Sequence, residues 1–198
     1  MRPLIYTAIA SRDHRLARAD GSLDWWPACL RRPDGGLPDL HARTDTLILG
    51  RETYERHYLD GRWPFEGKRV IVLSQRWRGQ RDAHVEFFGG HLPSFLLRLK
   101  KQRGGAIRLL GGAAAARSCL ATGLVDEAIL TVVPVTLGEG LALHAPREGA
   151  VRLMLRDSQT LPDGLARLRY DVVNSATVSV EGRALLAGRQ LTEWRASA

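Results

Sequence analysis

Three short polar clusters in this chain follow apolar runs, and each carries residues suited to an anion. The first is Gly111-Gly112, after Ala106–Leu110 and before the helix-forming run that opens with Ala113 and Ala114. Free N–H groups at a helix start point outward and favour negative charge, and glycines let a phosphate or carbonyl come close to the backbone. The second is Gly50-Arg51-Glu52-Thr53, where an arginine and a hydroxyl stand in a first helical turn. That pair can bind phosphate by charge and hydrogen bond. The third is Ser74-Gln75-Arg76, after Arg69–Leu73. Taken singly, Gly111-Gly112 reads at least as well as a tight turn, and Gly50-Arg51-Glu52-Thr53 reads better as an ordinary helix start. In an open α/β sheet, however, ligands gather at the carboxyl ends of strands. Three such ends together favour anion chemistry over coincidence.

The elements that must position these clusters follow the same grammar. Leu4–Ala10, Thr46–Leu49, Arg69–Leu73, Val85–Phe88, Ala106–Leu110 and Ala128–Val135 are short, apolar and β-prone. Helices are expected from Gly50-Arg51, from Pro93 and from Ala113 to Thr122, with Gly123 closing the last in a left-handed conformation. Lys100, Lys101 and Arg103 suit the C-terminus of the Pro93 helix. Later, Val151–Leu155, Leu165–Val173 and Thr177–Val180 look extended, and Arg167, Arg169 and Asp171 alternate with Leu168, Tyr170 and Val172. Strands alternating with helices define an α/β class.

Composition narrows the function. The 198 residues suit one domain, and no apolar run is long enough to span a membrane. The N-terminus reads as a first strand rather than a signal peptide. Cys29 and Cys119 cannot build a disulfide framework or a zinc site alone. Cytoplasmic location fits, and no metal is expected. The net charge of +8 is carried by scattered arginines, with Lys68, Lys100 and Lys101 the only lysines, and no motif stands behind a nucleic-acid reading. His84-Val85-Glu86 matches half of a zinc deaminase motif, but the Pro-Cys-x-x-Cys half is missing.

Several segments, in order, carry a resemblance. Ser11-Arg12-Asp13-His14-Arg15-Leu16-Ala17, continuing to Asp20-Gly21-Ser22-Leu23-Asp24-Trp25, is an opening loop. Leu49-Gly50-Arg51-Glu52-Thr53-Tyr54-Glu55, Val72-Leu73-Ser74 and Leu110-Gly111-Gly112-Ala113 follow. Gly123-Leu124-Val125-Asp126-Glu127 and Pro134-Val135 with Leu137-Gly138 and Gly140 complete the set. From Leu4 to Val173 the chain resembles the dihydrofolate reductase-like superfamily, and within it the stand-alone relatives of the reductase domain of riboflavin biosynthesis.

The resemblance implies a three-layer fold, with a mixed, mostly parallel central sheet, flanking helices and extra C-terminal strands. Residues 1–175 would form the cofactor-binding domain and 176–198 an extension of it. It implies NADPH as cofactor and reduction of a small pterin-like, pyrimidine-like or carbonyl substrate. Arg51 and Ser74, with Gln75 and Arg76, would hold the 2′-phosphate. Gly50, Thr53 and the Gly111-Gly112-Ala113-Ala114 turn would hold the pyrophosphate. It also implies a homodimer. Asp126 and Glu127 are expected to be structural. Two departures stand out. The opening loop carries His14 where the family usually has glycine. The acid of true dihydrofolate reductases falls near Asp34, with Asp24 and Asp39 as rivals. Asp34, His14 and Asp24 are therefore the catalytic candidates. The alternative is a non-catalytic nucleotide- or anion-binding protein on the same scaffold.

Overall fold

The computed structural model describes residues 1–59, 63–80, 84–143, 151–173 and 191–192. Six parallel strands build the centre: β1 (Leu4–Ser11), β3 (Thr44–Gly50), β4 (Arg69–Leu73), β5 (Val85–Phe88), β6 (Ala106–Leu110) and β7 (Glu127–Val133). Two antiparallel strands, β9 (Arg152–Thr160) and β10 (Ala166–Val173), extend the sheet beyond β7, and β11 (Leu191–Thr192) pairs with β9. The order across the sheet is β11-β9-β10-β7-β1-β6-β3-β4-β5. A separate two-stranded ribbon joins β2 (Arg15–Ala17) to β8 (Leu141–Ala142).

The period-2 alternation of β1 divides the core. Leu4, Tyr6, Ala8 and Ala10 face a cluster with Leu96 and Leu99 of α3 (Leu92–Lys101) and Ala115, Ala116 and Cys119 of α4 (Ala113–Leu120). Ile5 faces the other way, onto Leu37 and Leu40, of which Leu40 belongs to α1 (Pro38–Arg43). On that second face, Leu47, Leu49, Val70 and Val72 pack with Tyr54 of α2 (Arg51–Leu59) and with Phe65. Both faces are covered, so the strands read as nearly continuous apolar runs. This is a three-layer α/β arrangement of the dihydrofolate reductase type. Cys119 is fully buried, and burial pushes its thiol up to about 12, as befits a small hydrophobe.

Two elements differ from the sequence reading. Strand β9 runs on to Thr160, although Arg156–Thr160 has no apolar alternation. It pairs with β10 through to Thr160, with one irregularity in register at Arg156, across a turn at Pro162–Gly164 where Asp163 takes φ +62°. Cross-strand hydrogen bonding extends it where hydrophobicity gives no signal. Lys100 does not serve its helix terminus. It is buried, and Nζ donates to both carboxylate oxygens of Asp126 at 2.7 and 2.6 Å and to the Leu124 carbonyl at 2.7 Å. Asp126 also accepts from the Leu4 N–H at 2.7 Å. The expected strand Thr177–Val180 lies outside the described residues. Of the 176–198 extension only β11 is described.

Candidate functional site

The parallel strands end nearly level. Gly50 is opposite Leu73, Leu73 opposite Phe88, and Leu49 opposite Leu110. The three clusters expected from sequence therefore stand side by side on one edge of the sheet, on adjacent strands β6, β3 and β4. Strand β1 differs from its neighbours in register. Its ladder with β6 stops at Thr7, opposite Leu110, whereas its ladder with β7 continues to Ser11, opposite Val133. The Thr7 carbonyl accepts the Gly111 N–H at 3.0 Å as the last bond on the β6 side. Alternation along the strand directs the N–H and C=O of Ile9 to that same side, past the point where β6 has ended. The result is a cleft between the second half of β1 and the Gly111-Gly112 turn.

That turn is built for close approach. Gly111 and Gly112 take φ +46° and +62°, a region costly for any residue with a β-carbon. Gly112 is the N-cap of α4 and offers no side chain to its first turn. The N–H groups of that turn are left for another acceptor. A β-carbon on Gly112 would lie 3.3 Å from Thr53 Oγ1, and one on Gly111 would meet nothing within 4 Å. Thr53 and the glycine turn thus share one cradle, open on the Gly111 side. Gly50 sits beneath it, where a β-carbon would come to 3.2 Å from Ala115 Cβ.

The cationic part lies next to this cradle. Arg51 opens α2, is part-exposed, and approaches Glu55 one turn on at 3.9 Å. Ser74 is buried, and its Oγ accepts the Trp77 N–H at 3.3 Å, which closes the turn carrying Gln75 and Arg76. Gln75 and Arg76 are both exposed.

The opening loop is pinned from below. Asp13 accepts from the Ser11 hydroxyl at 2.7 Å, the Leu137 N–H at 3.0 Å and the Gly138 N–H at 2.8 Å. Burial works against its charge, but these three donors outweigh it and hold the carboxyl down at about 2. His14 takes φ +61°, the left-handed conformation a glycine would adopt freely. Its carbonyl accepts the Leu143 N–H at 2.8 Å, which ties the loop to the β8 segment. Burial draws the His14 imidazole below its ordinary value, and the charge of Asp13 opposes that shift. Asp24 is exposed and accepts from Arg18 Nε at 2.7 Å and the Ser22 hydroxyl at 3.0 Å. It caps no helix: the 3₁₀ turn that follows, Ala28–Leu30, begins at Pro27 without a side-chain cap. The neighbouring Trp25 and Trp26 meet edge to face and pack in a cluster with Ile9, Leu30, Val133 and Leu165.

Asp34 lies in a turn, as its Pro-Asp-Gly-Gly setting suggests, and its carboxylate accepts the Gly36 N–H at 2.8 Å. Beneath that turn is a group of residues to which the sequence pattern assigns no site. Arg108, the third residue of the apolar run Ala106–Leu110, is 3% exposed. Its Nε donates to Thr7 Oγ1 at 2.9 Å and Nη1 to the Asp34 carbonyl at 3.0 Å. Burial draws this guanidinium down to about 10, and the charge of Asp34 opposes the shift. Thr131, also buried, pairs with Ile9 on one side and Arg167 on the other. Arg167 Nη2 donates to the Gly36 carbonyl at 2.7 Å. The available signal was an arginine inside an apolar strand and two more at alternate positions of β10.

Fold and cleft define an α/β protein of the dihydrofolate reductase-like class. The RibD C-terminal domain family matches residues 2–166, and the chain belongs to that family. The chain is 33% identical over 159 residues to YwjB of Bacillus subtilis (strain 168), an uncharacterized protein, covering 80% of this chain and 91% of that one. A putative riboflavin biosynthesis protein from Shewanella sp. PV-4 superposes with a TM-score of 0.75 at 26% identity, over 87% of this chain and 99% of that one. The diaminohydroxyphosphoribosylaminopyrimidine deaminase/5-amino-6-(5-phosphoribosylamino)uracil reductase of Thermotoga maritima shares the fold, with a TM-score of 0.63 at 15% identity. That match covers 87% of this chain and 57% of the longer protein.

Proposed function

We propose that this chain is an NADPH-dependent reductase of a small heterocyclic or carbonyl substrate. The observation that carries the reading is the pair of left-handed glycines at the end of β6, facing Thr53 and open on one side. A β-carbon at Gly112 would crowd that cradle, so the residues present fit a pyrophosphate lying against the backbone. Membership of a reductase family supports the same reading. The Thr53 hydroxyl and the N–H groups of Ala113 and Ala114 would hold the pyrophosphate, with Gly50 keeping the floor clear. Arg51, with Ser74, Gln75 and Arg76 at the next strand end, would hold the 2′-phosphate. NADPH, when bound, supplies the hydride.

The chain itself orients and protonates. The backbone of Ile9, turned into the cleft, offers a donor and an acceptor to a flat polar ring. Asp34, on the turn above Thr7 and Arg108, would bind the substrate's polar edge. His14, held in a fixed conformation at the cleft mouth, is the candidate proton donor, with Asp24 further out on the same loop. Homodimerisation, expected from the resemblance, is checked by light scattering.

The deciding experiment is titration with NADPH and NADH, following tryptophan quenching, for the native chain and Arg51→Ala. The native chain is expected to prefer NADPH, and the substitution should weaken NADPH by about tenfold or more while leaving NADH little changed. Equal losses for both would remove the 2′-phosphate assignment. Tight NADPH binding with no oxidation by any pterin, pyrimidine or quinone would favour the non-catalytic reading, which the histidine at position 14 also motivates.

A further inference from the structure

Two rims of the cleft meet at Gly21. Strand β1 runs on into the opening loop, β3 runs on into α2, and β6, which ends beside Gly111, lies between them. Two strand spacings separate the rims, or about 10 Å. Gly21, at the tip of the loop, is buried, and a β-carbon on it would lie 2.7 Å from Arg56 Nη2 and 3.7 Å from Arg56 Cζ. The guanidinium of an α2 residue therefore rests against the bare backbone of the loop, across the end of β6. Gly21 takes φ +81°, so the turn that presents this backbone also favours glycine.

Both partners of this contact are placed for it. Arg56 stands three residues after Thr53, and so on the same side of α2 as the threonine of the cradle. Glu52 precedes it by one helical turn, yet among the described residues Arg56 forms no ion pair within 4 Å. Its charge reaches away from the helix toward the loop. The loop in turn is stiff. The Arg12 N–H donates to the Val135 carbonyl at 2.8 Å, and the Leu143 N–H to the His14 carbonyl at 2.8 Å. Asp13 takes the Leu137 and Gly138 N–H groups, and β2 pairs with β8. At the tip the Gly21 N–H donates to the Arg18 carbonyl at 2.9 Å, the Arg18 N–H to the Ser22 carbonyl at 3.1 Å, and the Ser22 N–H to Asp20 Oδ1 at 2.8 Å. The loop and the 134–143 segment thus form one strap, rooted on the adjacent ends of β1 and β7. A push on its tip is passed to its base.

We infer that Arg56 is a positioning residue: by spacing this strap from α2 it sets the width of the cleft over the end of β6, and with it the fit of the cofactor between Thr53 and β1. The inference rests on the cofactor reading above and adds to it a residue that touches neither phosphate group. A side chain at position 21, or a shorter one at position 56, changes that width without altering any group of the cradle. The effect on binding is therefore independent of the 2′-phosphate. Arg51 and Arg56 lie five residues apart on one helix and separate in this way. Loss of Arg51 discriminates between NADPH and NADH, and loss of Arg56 does not.

The test is a double-substitution cycle of Gly21→Ala, Arg56→Ala and the pair, each titrated with NADPH and NADH by fluorescence at low and high salt. The left-handed strain of Gly21→Ala is present in both backgrounds and cancels, whereas its collision with the guanidinium exists only where Arg56 remains. Gly21→Ala is expected to weaken both nucleotides about tenfold in the native background and less than about threefold beside Arg56→Ala. Arg56→Ala alone should weaken both alike, with the salt dependence of the native chain. Additive losses overturn the inference. So does an altered salt dependence, which would make Arg56 a direct phosphate ligand. A purely structural contact would couple the two substitutions in melting temperature and leave both affinities unchanged, and that result overturns it too. Where Gly21→Ala fails to fold, Gly21→Asn serves, since asparagine accepts the left-handed region and still carries a β-carbon. If the native chain binds neither nucleotide, the cofactor reading falls and the strap is read by amide exchange at Gly21. Protection lost about tenfold in Arg56→Ala upholds the bridge to α2, and unchanged protection overturns it.

Discussion

A β-carbon placed on Gly112 would lie 3.3 Å from Thr53 Oγ1, so the turn after β6 and the first turn of α2 share one wall. Gly112 also holds φ +62°. Gly112→Ala therefore combines left-handed strain of about 1 kcal/mol with an intrusion into the cradle. The expected outcome is a fall in melting temperature of about 2–4 °C and at least tenfold weaker NADPH binding. Scanning calorimetry and fluorescence titration read the two effects separately. Undiminished NADPH affinity in a folded variant would place the pyrophosphate elsewhere.

His14 offers a cleaner measure of backbone strain. Its φ of +61° belongs to glycine, and its carbonyl is fixed by Leu143. His14→Ala and His14→Gly both delete the imidazole, so the difference between them isolates the backbone. The glycine variant is expected to be the more stable by about 1 kcal/mol, or about 2–4 °C. Chemical denaturation of the pair checks it, and equal stabilities would mean that the loop relaxes.

Asp13 makes stability depend on acid. Its carboxyl is held down at about 2 by the Leu137 and Gly138 N–H groups and the Ser11 hydroxyl, against the opposing effect of burial. A group whose value is lower in the folded state stabilises above its unfolded value, near 3.9, and loses that contribution as pH falls through the folded one. Asp13→Asn should therefore cost about 1–2 kcal/mol at pH 7. The melting curves of native and variant chains should converge as pH falls from about 4 to 2. A constant gap across that range would show that shape, and not charge, matters here.

These residues also mark what could be read from sequence. Gly50-Arg51, Ser74-Arg76 and Gly111-Gly112 were legible because glycine and arginine at the end of an apolar run are local signals. The sheet then aligned them, as parallel pairing requires. Arg108 was hidden inside its run, since nothing local tells a buried arginine from an exposed one. Its burial depends on the 31–37 turn folding over β1 and β6, and the company of Arg167 depends on β10 pairing with β7. These are contacts across 74 and 131 positions. Asp34 is a candidate by its position along the chain, and only the fold reveals that its carbonyl, rather than its carboxylate, accepts a hydrogen bond from Arg108. Dipole rules are local and assign Lys100 to a helix terminus, while its partner Asp126 lies 26 residues on.

That last pair separates scaffold from site. Lys100 and Asp126 join α3 to the start of β1 and to the segment leading into β7, at the amino edge of the sheet and opposite the Gly111-Gly112 turn. Lys100 is 5% exposed, whereas the Asp126 side chain is 42% exposed. Lys100→Met removes three donated bonds but leaves Asp126 with water and the Leu4 N–H. The cost is therefore below that of breaking a fully buried pair, at about 2 kcal/mol. A loss of about 4–8 °C in melting temperature is expected, with NADPH affinity unchanged within about twofold. Thermal unfolding and the same fluorescence titration provide both numbers. A folded Lys100→Met chain that binds NADPH much more weakly would mean that the amino edge of the sheet controls the geometry of the carboxyl edge, through β1 and β7.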